Sequence, residues 1–242
     1  MLFRPTGPRG GLTDDRIQPG DIIASGKNIN TSLTTVGSGT VLAAQLVAGV
    51  IARTGPTGAF TDTFDTAWNI IQALAGNFPV ADVVQGISFE FTYQNQVAYA
   101  MTAAAAASSG VVLGSNVNVA ASLVRDYLVT ILNASPPVNL YANTTNGQAV
   151  CTLVNPYYLG DFDLSSNKGY GQITVGQSVY GTGIPAGATV AGVLTSNTQG
   201  NGNAQVTGFT LSANATATSA AGGVLLNFTP TINITGLRSA TA

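Results

Sequence analysis

The sequence predicts an all-β protein: a jelly-roll-like antiparallel sandwich with two short helices, an extended N-terminal arm before it and a second small β module after it. Three observations carry this expectation. From residue 87 onward, apolar and polar residues alternate with a period of two, in short runs separated by Gly, Asn or Pro. Apolar residues make up 45% of the 242-residue chain, enough to fill a core. Charged residues make up only 7%, against about 25% in ordinary globular proteins, so Thr, Ser, Asn and Gln must supply most of the polar surface.

Residues 1–32 read as the arm. "MLFRPTGPRGGLTDDRIQPGD" has three prolines and four glycines and follows neither a helical nor a strand period. It precedes Lys27, and Arg4, Arg9, Arg16 and Lys27 are four of the eight basic residues. A frayed terminus and a segment that orders against a partner both fit this composition. Two short helices follow. In "GTVLAAQLVAGVIARTG", Thr40 can cap a turn or two carrying Leu42, Leu46 and Val47, and "GVIAR" is β-branched enough to be a strand instead. In "TDTFDTAWNIIQALAGNFP", Asp62 is the expected N-cap, with Asp65 in the first turn. Phe64, Ala67, Trp68, Ile71 and Leu74 form the apolar stripe, and Gly76 and Pro79 lie at the stop. An acid/base role for Asp62 and Asp65 is the functional alternative, and capping is the simpler one.

The strand rhythm begins at "SFEFTYQN", which puts Phe89, Phe91 and Tyr93 on one face and Ser88, Glu90 and Thr92 on the other. "VAYAMT", "GVVLG", "NVNVAA", "RDYLVTIL" and "VNLYA" continue it, with "AAAAASSG" (103–110) as a connecting loop. "QITVGQSVYG", "TVAGVL", "AQVTGFTLS" and "GVLLNF" repeat it in the second half, where Gly169 to Leu237 contains no Asp, Glu, Lys or Arg. Asn146-Gly147 and Asn201-Gly202 are turn dipeptides. The expected units are the arm (1–32), the jelly-roll-like domain (33–141) and the second module (142–242). "ILNASPPVNLY" (131–141) and "LLNFTPTINIT" (225–235) align without gaps. Either each half closes with the same kind of strand, or the second module is an insertion and residues 229–236 return to the first sheet.

Several chemistries lack their residues. There is no histidine and the one cysteine is Cys151, so an internal disulfide and a Cys/His zinc site have no ligand set. Cys151, in "AVCTLV", is expected to be a buried small hydrophobe. Nucleic acid is an unsuitable partner because the basic residues form no patch. "VLAAQLVAGVI" is too short to span a bilayer, and "MLFRPTGPRGG" has no signal-peptide core, which reads as a chain made and used without secretion. The Asn-X-Ser/Thr sites at Asn30, Asn133, Asn143, Asn214, Asn227 and Asn233 are then by-products of composition.

"GQSVYGTGIPAGATVAGV" (176–193) is glycine-rich, yet it carries no lysine and feeds a strand-like run, so it is not a phosphate-binding loop. Ile184-Pro185-Ala186-Gly187 fits a type I turn, and the loop reads as a corner between strands. "DFDLSSNKGYGQ" begins like a calcium loop at Asp161, Asp163 and Ser165. It has Ser166 where glycine is required and Gln172 where glutamate is required. A carboxylate-pair hydrolase could draw on Asp161, Asp163, Glu90 or Asp126, though no pair is placed at a catalytic separation. No catalytic, cofactor or metal residue is assigned.

"ITVGQSVYGTGIPAGATVAGVL", with "GFTLSANATAT" and "GVLLNF" after it, resembles a small all-β module of structural proteins from tailed bacteriophages and some large viruses. Its pattern is roughly V-G-x-x-V-x-G-x-G-I-P-x-G-T-x-V. Here Ala188 precedes Thr189, a slight displacement. The stretch from "LTTVGSGTVLAAQLVAGVIARTG" to "FEFTYQN" is similar to jelly-roll-type capsid decoration (cement) or head-fibre proteins. Together the resemblances span about residues 33 to 230. They imply a non-enzymatic homotrimer on the outer capsid surface of a virion, made in the host cytoplasm. The partners implied are the major capsid protein and further copies of the chain, with no cofactor. Arg4, Arg9 and Arg16 are the candidate capsid contacts, and Thr182, Gly183, Ile184 and Pro185 the candidate outer-loop contacts. The alternative is a phage fibre or adhesin subunit recognising a host surface glycan or protein.

Overall fold

The structure is a computed structural model, and it describes residues 22–23, 29–76, 85–158, 172–196 and 204–241. The chain is mostly β. Its first half is a stack of coils. β2 (Ile29–Leu33), β4 (Gly49–Arg53) and β6 (Ser88–Asn95) lie in a main sheet, while β3 (Gly39–Val41), β5 (Phe60–Phe64) and β7 (Met101–Ala105) form a smaller second sheet. Strands alternate between the two sheets in chain order, and neighbours within each sheet run parallel. Parallel neighbours need a crossover in place of a hairpin. Here each crossover includes a short helix: α1 (Ala43–Ala48) leads into β4, and α2 (Ala67–Ala75) precedes β6. Among one another, therefore, these strands lack the expected antiparallel pairing.

Antiparallel pairing begins with β9 (Leu123–Asn133), which lies along β6 and is followed in the sheet by β16 (Thr231–Thr241). β8 (Val111–Leu113) adds parallel to β16 at one edge. β1 (Ile22–Ile23) pairs with Ser88 and Phe89 on β6, so a part of the expected arm is a strand of the main sheet. The rest of residues 1–28, with Arg4, Arg9 and Arg16, lies outside the described residues. The core between the sheets is aromatic at its centre. Phe91 stacks on Tyr127 at 4.7 Å, and Phe64 meets both edge-on at 6.0 and 6.1 Å.

The helix starts differ from the sequence reading. Thr40 is in β3, and α1 is opened by Leu42, whose N–H donates to Gln45 Oε1 (2.9 Å). Asp62 and Phe64 are in β5. The N-cap of α2 is Thr66, whose hydroxyl accepts from Asn69 N–H (3.2 Å). The buried face of α2 is Ala67, Ile70, Ile71 and Leu74, with Trp68 half-buried against the core. "AAAAASSG" is split: Ala103–Ala105 belong to β7 and the remainder is the loop. In "NVNVAA", Val119 makes only an isolated bridge to Met101.

The second module is a closed barrel. β10 (Val138–Asn143), β11 (Val150–Tyr158), β12 (Ser178–Tyr180), β13 (Val190–Ser196), β14 (Gln205–Leu211) and β15 (Val224–Thr229) pair antiparallel in the order β12-β15-β10-β11-β14-β13. The free side of β12 then bonds the segment entering β13: Val179 N–H to Ala188 O, and Val190 N–H to Gln177 O, both 2.9 Å. That closes the ring and removes its edges. Leu226, Phe228, Phe209, Val206, Cys151 and Leu211 fill the interior, with Phe209 edge-on to Phe228 at 5.0 Å.

The barrel is inserted between β9 and β16, which are antiparallel neighbours with Asn133 opposite Thr231. Two antiparallel crossings join the modules, one through Pro136-Pro137 and one through Pro230. Neutral side chains brace the joint. Asn133 Nδ2 donates to Thr174 Oγ1 and Val175 O (both 2.9 Å), Gln177 Nε2 to Pro136 O (3.1 Å), and Thr231 Oγ1 to Gly176 O (2.9 Å). Gly110 sits against this joint at φ 72°, where a Cβ would lie 2.0 Å from Pro230 O, so both the backbone angle and the space require glycine.

Candidate functional site: a neutral interaction surface

Seven charged residues fall among the described ones: Arg53, Asp62, Asp65, Glu90, Arg125, Asp126 and Arg238. Two are withdrawn from the surface completely. Arg53 and Asp62 occupy inward positions of β4 and β5, both fully buried, with Arg53 Nε 2.8 Å from Asp62 Oδ2 and Nη2 3.2 Å from Oδ1. Arg53 also donates to the carbonyls of Leu33 (3.0 Å), Thr35 (2.7 Å) and Gly37, so its five N–H groups are all used. Asp62 accepts further bonds from Gly39 N–H (2.9 Å) and from the Tyr93 hydroxyl. Burial, and then the hydrogen bond to Asp62, push the Tyr93 hydroxyl pKa well above its ordinary value. Gly39 leaves the room, since a Cβ there would lie 3.2 Å from Asp62 Oδ1. The centre ties all three coils together and shapes the 34–38 corner. It has no open face, so it is structural.

Asp65 joins the two helix starts. Its Oδ2 accepts from Ala43 N–H (3.0 Å), and its Oδ1 from Thr66 N–H (2.8 Å) and Asn69 Nδ2 (2.7 Å). Asp126, on the outer face of the main sheet, takes Thr92 Oγ1 on one oxygen and Arg238 Nε on the other, both at 2.8 Å. Burial alone would raise this carboxyl. The Arg238 guanidinium and the Thr92 hydroxyl outweigh it and hold the pKa below the ordinary value. Glu90 lies on the same strand as Thr92, two residues away on the same face. Asp126 is thus an anchored anion. Asp161 and Asp163 lie outside the described residues, and no group of metal-ligating side chains forms among the described ones.

Apart from half-buried Arg125, neutral groups make up the remaining surface of the described residues. On the barrel, Tyr141 and Leu225 face each other in register across β10 and β15, and both are exposed. On the first coil, Ile29, Val36 and Leu42 are exposed. A cavity of about 420 Å³ at the end of the main sheet is lined by Gln94, Gln96, Ser122 and Val124. The glycine-rich loop joins β12 to β13. Its turn is closed by Ala188 N–H to Pro185 O (3.2 Å), one residue later than the sequence suggested, with Gly187 third at φ 77°. A positive φ there suits a type II turn. Thr182 is exposed, whereas Gly183 and Pro185 are half-buried and Ile184 packs against the barrel core. Gly183 O accepts from Thr216 N–H (2.8 Å), which pins the loop down.

Cys151 is buried and free, and burial pushes its thiol up to about 11. Thiolate is the reactive form. A maleimide at pH 8 is therefore expected to leave the native protein unlabelled and to label it fully in denaturant; rapid native labelling would show that the barrel opens. No helix among the described residues is long and apolar enough to cross a membrane. Comparison of the chain with protein-family models, curated proteins and solved structures returns no match.

Proposed function

We propose that the chain is a virion structural protein: a capsid decoration (cement) protein that binds the outer capsid surface as a homotrimer and stabilises it. One observation carries this reading. Of seven charges on the described residues, two neutralise each other in the core, Arg238 and Asp126 pair on the outer face of the main sheet and Asp65 is bonded at the helix starts, so that only Glu90 and Arg125 stand beside that pair in a skin of Thr, Asn, Ser and exposed apolar groups. Net charge is a main defence against association, and at −2 this chain has little of it. Such a surface suits a protein held among copies and neighbours by shape and neutral hydrogen bonds. The "GTGIPAG" loop, which carries the resemblance to virion modules, is at a strand corner of the barrel. The coil stack would form the body on the lattice, and the barrel would project outward.

Contacts of this kind are weakly screened, because salt acts on exposed charges. Protein bound to bare capsids is expected to stay bound as salt rises from low to molar concentration, read by sedimentation. Release across that range would reject neutral contact as the mechanism. Deleting residues 1–20, with Arg4, Arg9 and Arg16, is expected to weaken capsid binding without changing the number of chains in the free trimer. Undiminished binding would remove the role given to the arm.

A further inference from the structure

The coil stack is finished differently at its two ends. At the last coil the edge of the smaller sheet is covered: Met101 and Val119 exchange backbone bonds of 2.8 and 3.0 Å, and Ala103 N–H donates to Asn118 Oδ1 (2.9 Å). At the first coil, β2 and β3 are each outermost in their sheets, and no described strand pairs with their far sides; on β2 that side presents Asn30 and Ser32, and Ser32 O also accepts from Gln45 Nε2 (3.3 Å). A bare edge is normally blunted by charge, proline or a bulge. Residues 29–52 contain no charged residue and no proline, and the β2–β4 register runs unbroken from Ile29 to Leu33. Around this edge stand Val36, Leu42 and Ile29, exposed by 74, 53 and 48%.

We propose that a second copy of this chain occupies this edge, with β2 pairing against its own copy, antiparallel, about a two-fold axis. An uncharged edge flanked by apolar side chains is desolvated at low cost only against an uncharged partner, since a charge left unpaired there would be penalised heavily. The same edge on another copy meets that condition. A two-fold also sets the apolar flanks of one copy against those of the other. It makes the two strands antiparallel, the more stable pairing. The head-to-tail alternative would use β8, the opposite edge of the main sheet. β8 offers three residues where β2 offers five.

This two-fold contact is separate from those of the proposed homotrimer and would double whatever assembly they form, and its test uses the free full-length chain in solution. Asn30 and Ser32 are exposed on β2. Like charges placed across an antiparallel pair repel, so Asn30→Lys/Ser32→Lys is expected to halve the mass seen by light scattering while leaving the thermal melt in place. Asn30→Asp/Ser32→Asp should behave the same way, and mixing the two variants should restore the wild-type mass. Restoration on mixing also shows that both variants are folded. An unchanged mass, a fall to one third, or no recovery on mixing overturns the proposal. Deleting residues 1–20 should leave the number of chains per assembly unchanged; a rise would show the chain's own N-terminal residues covering the edge, and would also overturn it. Loss of capsid binding with these masses intact would bear on the decoration reading alone.

Discussion

Asp62→Ala is expected to destabilise the protein by about 3–5 kcal/mol, the usual cost of leaving a buried charge without its partner. Domains of this kind have roughly 5–15 kcal/mol in total, so a large fraction of the stability is at stake. Arg53 would keep its carbonyl acceptors at Leu33, Thr35 and Gly37 but lose the anion that neutralises it. A helix N-cap in the same position would cost only about 1 kcal/mol, so urea unfolding separates the two roles. The damage should be local first, with faster amide exchange over residues 29–41, because the first coil is held by these bonds. Replacing both partners with apolar residues, as in Arg53→Met/Asp62→Leu, should recover much of the loss. A cost near 1 kcal/mol for Asp62→Ala would show that the pair does not hold the coils.

Replacing residues 134–230 with Asn-Gly is expected to leave a folded first module. Asn133 and Thr231 are already opposite one another on antiparallel strands, and a two-residue Asn-Gly connection is the preferred hairpin turn. The apolar cluster between the two sheets draws only the partly buried Ala134 from 134–230, so the shortened chain keeps its own core. The shortened protein should unfold cooperatively and retain near-ultraviolet dichroism from Phe64, Phe91 and Tyr127. Loss of cooperative unfolding would show that the barrel is required for the main sheet.

Much of this architecture was legible, and the misreadings have physical causes. Alternation identified the strands, but a period of two reports only that one face is buried; it is blind to strand direction. The parallel coils were therefore indistinguishable from hairpins. "FTDTF" does hold the missed centre: Asp62 stands between two phenylalanines at strand spacing, on their face. The same acid reads as a cap when Phe64 is counted into a helical stripe with Ala67 and Trp68. The matched segments 131–141 and 225–235 have a structural counterpart. They lie antiparallel to one another as the two crossings between modules, with Ile131 opposite Ile232 and Val138 opposite Phe228. Closure of the barrel was not legible, because it depends on which distant strands meet.

The position of the barrel bears on the order of folding during synthesis. β16 leaves the ribosome after every other described strand, yet it borders the central strand β9 of a sheet whose other members are made much earlier. Bringing Asn133 and Thr231 together across an unfolded intervening chain would be entropically slow. A barrel that has already closed holds its two ends side by side at β10 and β15. β16 then needs only to zip onto a neighbour that is waiting for it.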